Sequence, residues 1–73
     1  MNRTLTAIIE REEDLFVALC PEYDIVSQGA SVSEARKNLQ EALELFFEAA
    51  PSEEQERRYR SEVYVTNLYV AVG

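Results

Sequence analysis

The sequence has no histidine and only one cysteine, Cys20. A single cysteine excludes an internal disulfide, and without histidine there is no Cys/His set for structural zinc. Histidine is also the usual proton-transfer residue near neutral pH, so its absence disfavours catalysis. At 73 residues the chain is expected to form one domain, 1–73, that buries only about 60% of its unfolded surface. Since neither a disulfide nor a metal can brace this domain, self-association is the remaining route to added stability.

Basic residues are scarce: seven oppose fourteen acidic ones, a net charge of −7. This charge disfavours direct binding to nucleic acid or to anionic membranes, and it suits a basic protein partner. An acidity that serves only solubility is an equally good interpretation. No apolar run approaches the roughly 20 residues of a membrane span, and no apolar signal core follows residues 1–4. We therefore expect a cytoplasmic protein with a reduced thiol at Cys20.

Three strands are predicted in the first half of the chain. Thr4–Glu10 is β-branched and apolar with partial alternation, and the charged stretch Arg11–Asp14 reads as a hairpin turn. Leu15–Cys20 is apolar on both faces, as expected of an inner strand, and Pro21 should end it. Ile25–Gln28 forms the third strand, before Gly29.

One helix is predicted after Gly29. Ser31 is a good N-cap, and Glu34 stands three residues later, which makes a capping box. Pro51 should end this helix, and residues 52–58 read as a polar connector with at most one helical turn. The apolar positions recur at helical spacing: Val32, Ala35, Leu39, Ala42, Leu43 and Phe46.

The tail, Glu62–Val72, returns to strand character. Extended, it would reach about 36 Å, longer than a first strand of about seven residues can pair. Its apolar alternation shifts near Thr66–Asn67, which indicates a bulge. We expect one half to complete the domain's own sheet and the other half to pair with a second copy. The predicted class is α+β, a two-layer sandwich in the order β-β-β-α-β with one helix on an antiparallel sheet.

Several stretches carry a resemblance to a known family: Ile9–Glu22, Val26–Gly29, Ser31–Ala35 and Asn38–Leu45. Together they resemble the HicB-like antitoxin family over about two thirds of the chain. The resemblance implies a partial ribonuclease-H-like fold and an oligomer built by the last strand. It also implies that the protein holds a small basic HicA-type mRNA-cleaving toxin inactive. Many relatives continue into a DNA-binding segment; none follows the last strand here, so operator binding is not expected.

The candidate interface residues lie in the acidic turn and in the tail: Glu12, Glu13, Asp14, Tyr64, Leu68, Tyr69 and Val70. The polar helix face joins them as a surface for a toxin: Glu34, Glu41, Glu44 and Glu48. Tyrosine is enriched at interfaces, although Tyr59, Tyr64 and Tyr69 would serve equally well to cover the edge of the domain's own core.

Other distinctive residues have structural interpretations. Cys20 is expected to pack in the core, and Ser27-Gln28-Gly29 to provide a permissive turn and partners for backbone groups. Arg57, Arg58 and Arg60 are expected to pair with neighbouring glutamates rather than with phosphate.

No cofactor, metal or catalytic residue is expected. The alternative to an antitoxin is a stand-alone homo-oligomeric adaptor or a module for an unknown ligand. A metal-dependent nuclease built on the carboxylates of Glu10, Glu12, Glu13 and Asp14 is disfavoured, because acidic turns are usually solvated.

Overall fold

The computed structural model of the protein describes residues 3–73, so Met1 and Asn2 lie outside it. A three-stranded antiparallel sheet with strand order β1-β2-β3 packs with two helices, a small α+β fold of the predicted class. The elements are β1 (Ile8–Glu12), β2 (Leu15–Cys20), β3 (Ile25–Gly29), α1 (Val32–Ala49) and α2 (Ser52–Arg58).

Strand β1 begins and ends later in the chain than the predicted first strand, Thr4–Glu10. Pairing begins at Ile8, opposite Leu19, because β2 ends at Cys20 and the following Pro21 has no amide hydrogen. At the other end β1 continues through the charged residues to Glu12, which pairs with Leu15 across a two-residue turn. β2 has the predicted bounds, and β3 is one residue longer than predicted.

Helix α1 begins and ends where the sequence predicts. The Ser31 Oγ accepts a hydrogen bond from the Glu34 amide at 3.1 Å, which satisfies one of the free donors of the first turn. Beyond Pro51, the predicted polar connector forms a second helix, α2. Its Gln55 side chain donates to the carbonyls of Phe47 and Ala50 at 3.1 and 2.8 Å, which ties α2 to the end of α1.

The fully buried core is small and lies between one sheet face and α1. It consists of Ala18, Cys20, Tyr23, Ala35 and Leu39. Cys20 has no exposed surface, so the prediction of a core thiol is confirmed. The same burial raises the pKa of the Cys20 thiol, and the hydrogen bond to the Glu22 carboxylate adds to this increase.

Gly29 serves a different purpose from the predicted one. It is the last residue of β3 and has no positive φ, so it does not provide a left-handed turn. A Cβ at this position would lie 2.5 Å from the backbone nitrogen of Ala35 and 2.8 Å from the carbonyl carbon of Glu34. A glycine is needed because the first turn of α1 crosses the strand at backbone contact distance.

The predicted fourth strand is not formed. Residues 59–73 have neither helical nor strand structure, and the two halves of Glu62–Val72 pair with no other segment of residues 3–73. A β-β-β-α-β order was therefore wrong for the single chain, which follows α1 with a short helix and an extended segment. A strand needs an edge to pair with, and in the single chain this segment pairs with neither edge of the sheet.

We expect Gly29→Ala to destabilise the protein by about 1–3 kcal/mol, because backbone atoms cannot yield to the added methyl group as a flexible side chain would. The measurement is urea unfolding followed by circular dichroism. Lys37→Ala is the control, because it changes an exposed side chain of α1 and adds no atom between the helix and the strand. Equal unfolding midpoints for the two variants would contradict this account of the close approach.

Candidate functional site

Glu22, in the turn between β2 and β3, is buried and holds the N-terminal segment in place. Its carboxylate accepts hydrogen bonds from the Thr6 amide at 3.0 and 3.2 Å and from the Thr6 hydroxyl at 2.6 Å. The Cys20 thiol donates to the same group at 3.4 Å. Burial by itself would raise the pKa of Glu22, but the hydrogen bonds from Thr6 outweigh it, and the pKa lies below its ordinary value.

Residues 58–60 are fixed beside the same turn. The carbonyl of Glu22 accepts a hydrogen bond from the Arg60 amide at 2.8 Å. Arg58 donates to the Tyr23 carbonyl at 2.7 Å, and the Tyr59 ring stacks on that of Tyr23 with centroids 5.3 Å apart. The chain therefore leaves the domain next to the residue that also holds its N-terminal segment.

Tyr23 is the centre of an aromatic cluster that closes this end of the core. Its ring contacts those of Phe46 and Phe47 at centroid distances of 5.4 and 5.1 Å, besides its stacking on Tyr59. Arg3 lies over the Tyr59 ring at 4.1 Å, and its guanidinium donates to the Tyr23 hydroxyl. The sequence left open whether the three tail tyrosines form an interface or cover the domain's own core. Tyr59 covers the core.

Residues 61–73, beyond Arg60, form no helix or strand and are almost wholly exposed; we call them the C-terminal segment. Tyr64 and Leu68 are 81% and 85% exposed, and Tyr69 is fully exposed. The other large apolar side chains exposed there are Val65, Val70 and Val72. Large exposed apolar surfaces on small proteins are common at interaction sites. Four of the predicted interface residues lie in this exposed segment: Tyr64, Leu68, Tyr69 and Val70.

A groove of about 600 Å³ lies between residues 3–7 and helix α1. Its apolar walls are formed by Leu5, Ala7, Leu39, Leu43 and Phe47. The charged side chains that line it are Arg3, Arg36 and Glu44. Residues 3–7 continue into β1, which is an edge strand, and they make no backbone–backbone hydrogen bond within the described chain. The groove therefore runs beside an unpaired stretch of backbone.

The acidic turn forms a second surface. Glu12, Glu13 and Asp14 are all exposed at the tip of the hairpin, away from the C-terminal segment in sequence. The carboxylates predicted on the helix face are exposed as well: Glu34, Glu41, Glu44 and Glu48. Glu13 has a positive φ of 55°, which is the left-handed conformation required at the first position of the tight turn. Within residues 3–73, no group of three or more potential metal ligands is close enough to hold an ion.

These carboxylates are almost entirely free of internal ion pairs. In the described part of the chain the one salt bridge joins Arg57 to Glu54 at 3.8 Å on the exposed surface of α2. The predicted pairing of the arginine cluster with glutamates thus holds for Arg57. It was wrong for Arg58, whose side chain bonds the Tyr23 carbonyl and lies over the Phe46 ring at 5.0 Å. The negative charge of the hairpin tip and of α1 remains directed at solvent.

Two features of the site were missed at the level of sequence. Glu22 reads as an ordinary turn residue, although a carboxylate directly after a strand-ending proline is well placed to accept from a neighbouring strand's amide. The groove could not be found, because its walls come from residues 3–7 and from α1, which only the fold brings together. Gln28 also acts differently from expectation: its backbone carbonyl, rather than its side chain, accepts a hydrogen bond from the side-chain Nδ2 of Asn38 at 2.8 Å.

Comparison with known proteins gives no relative. No family model matches the chain, and neither a curated protein nor a solved structure does. The resemblance to HicB-like antitoxins stays a prediction from the residues quoted above. None of the helices described between residues 3 and 73 has the length and apolar character needed to cross a membrane.

We expect Glu22→Gln to lower the free energy of unfolding at pH 7 by about 1–3 kcal/mol, because a charge-assisted acceptor for Thr6 is lost. The folded pKa of Glu22 is lowered, so its contribution is complete above the ordinary value of 4.5 and is lost as the pH falls through the folded pKa. The difference between the parent protein and the variant should therefore shrink in acid. Denaturant titrations at pH 7 and at pH 3 measure it.

Glu10→Gln is the control for this measurement, because Glu10 is an exposed carboxylate on β1. It should change stability little at either pH. A difference for Glu22→Gln that stays constant or grows in acid would contradict the assigned hydrogen bonds.

Proposed function

We propose that this protein is a non-catalytic binding protein that works as an assembly of identical chains joined through the C-terminal segment. The observation that carries the proposal is the exposure of that segment's apolar side chains, Tyr64, Leu68, Tyr69 and Val70, on a domain with a very small core. A single chain gains nothing from leaving such side chains in water. Burial against a second copy removes this cost and also braces a domain that has no disulfide.

Deletion of Leu68–Gly73 tests this assembly. We expect the full chain to sediment as a dimer or a larger oligomer and the shortened chain to sediment as a monomer. The shortened chain should keep its circular dichroism spectrum, since the deleted residues belong to no helix or strand. An unchanged mass in analytical ultracentrifugation after the deletion would overturn the proposal.

The second candidate function is neutralisation of a small basic toxin of the HicA type. Two observations favour it: the resemblance of about residues 5–48 to HicB-like antitoxins, and a net charge of −7 with one internal ion pair in the described chain. Carboxylates that are not compensated within the protein create a field that attracts a basic partner and speeds its association. The hairpin tip, Glu12, Glu13 and Asp14, presents three of them side by side. A basic RNA-cleaving protein held there would be screened from its anionic substrate.

We also propose a cytoplasmic location for the protein, which the free Cys20 thiol supports because thiols stay reduced in that compartment. The two functions differ in what the assembly serves. A stand-alone adaptor needs the C-terminal segment alone, whereas an antitoxin needs the acidic surface as well.

Charge reversal at the hairpin tip separates the two functions. We expect Glu12→Lys, Glu13→Lys and Asp14→Lys together to weaken binding of a purified basic HicA-type toxin at least tenfold and to restore its RNA cleavage. The control reverses the same number of charges on α2, at Glu53, Glu54 and Glu56, and should weaken binding less. Isothermal calorimetry at two salt concentrations measures both. Equal losses for the two variants would show that only net charge matters, and absence of toxin binding by the parent protein would remove the antitoxin function.

A further inference from the structure

We propose that the groove between residues 3–7 and α1 is the acceptor for the C-terminal segment of a second copy, which enters as a strand along the open edge of β1. This inference rests on the proposed self-association and names where the segment binds. The segment would fill an apolar groove of about 600 Å³ and pair a strand edge that has no partner in the single chain.

The edge of β1 is the place where a further strand can join the sheet. The sheet has two outer strands, β1 and β3. β3 packs closely against α1, and its Gln28 carbonyl already accepts a hydrogen bond from Asn38. β1 pairs with β2 alone, and residues 3–7 make no backbone–backbone hydrogen bond in the described chain. The Thr6 amide already donates to the Glu22 carboxylate. An added strand would satisfy other backbone groups of residues 3–7 and would cover an edge that otherwise invites aggregation.

The alternation of the segment fits the two surfaces beside that edge. In a strand, Leu68, Val70 and Val72 lie on one face and Tyr69 on the other. With the first set turned towards α1, the aliphatic side chains meet the apolar walls of the groove, among them Leu39. Tyr69 then lies on the opposite face of the sheet, next to Ile8.

The charges that line the groove also favour the C-terminal segment over a basic protein as the bound partner. Two arginines and one glutamate, Arg3, Arg36 and Glu44, line the groove, so it is locally cationic in a protein of net charge −7. Residues 63–73 carry no charged side chain, so they enter without repulsion. A basic partner would meet like charge in the groove and the opposite charge at the hairpin tip.

The area is sufficient for a stable dimer. Each exposed tyrosine offers about 150–250 Å², so reciprocal exchange between two copies engages about 600–1,000 Å² from Tyr64 and Tyr69 alone. The valines and Leu68 add to this, which brings the total towards the roughly 1,200–2,000 Å² of a specific interface. Reciprocal exchange also limits the assembly to two chains, because each chain donates one segment and accepts one.

Complementation between two damaged chains tests the inference. Ala7→Asp places a charge in the groove at an exposed position, and Val70→Asp places one in the segment. We expect each variant to associate at least tenfold more weakly than the parent protein, by sedimentation equilibrium. A mixture of the two should recover a complex of two chains, because the intact segment of one still fits the intact groove of the other. Val26→Asp, on the opposite, exposed face of the sheet, is the control and should associate like the parent.

Cross-linking gives a second readout that does not depend on how Ala7→Asp folds. Oxidation of a mixture of Ala7→Cys and Val70→Cys chains should give a covalent heterodimer, whereas Val26→Cys with Val70→Cys should not. Normal association of a folded Ala7→Asp protein, or cross-linking through Val26→Cys instead, would overturn the inference and leave the proposed self-association standing. A parent protein that is monomeric at all concentrations would overturn both.

Discussion

The hydrogen bonds of Glu22 hold together the two ends of this small domain. The side chain binds the amide and hydroxyl of Thr6, and the backbone carbonyl binds the amide of Arg60. One residue thus positions a wall of the groove and the point where the C-terminal segment leaves. The buried carboxylate is tolerated because its oxygens have donors from Thr6 and Cys20, and no described buried side-chain polar atom lacks a partner.

The apolar core beside this turn is small. Among residues 3–73, five apolar residues are fully buried, and half-buried aromatic rings packed on Tyr23 extend that core. Much of the remaining apolar surface lies in the C-terminal segment, which the single chain cannot cover. The same composition that limits the core therefore supplies an interface. The acidic hairpin tip is a second exposed surface, formed by other residues.

The sequence predicts local elements well and long-range contacts poorly. β2, β3 and the capped start of α1 follow from apolar runs, Pro21 and Ser31, which act within a few residues. The first strand was misplaced because its bounds are set by where β2 ends. The fourth strand failed for a related reason: residues 62–72 have strand composition, but a strand exists only where an edge accepts it. Exposure of Tyr64 and Tyr69 and the groove itself depend on chain placement, which periodicity does not encode.

Concentration-dependent hydrogen exchange of the full chain tests the central claim most directly. If the C-terminal segment binds along β1 of a second copy, the amides of residues 68–72 and those of residues 3–7 gain protection together, apart from the Thr6 amide, which Glu22 already binds in the single chain. Both sets should show the same concentration midpoint, because one event buries them. Exchange of residues 68–72 at the rate of an unstructured peptide at every concentration would contradict the account.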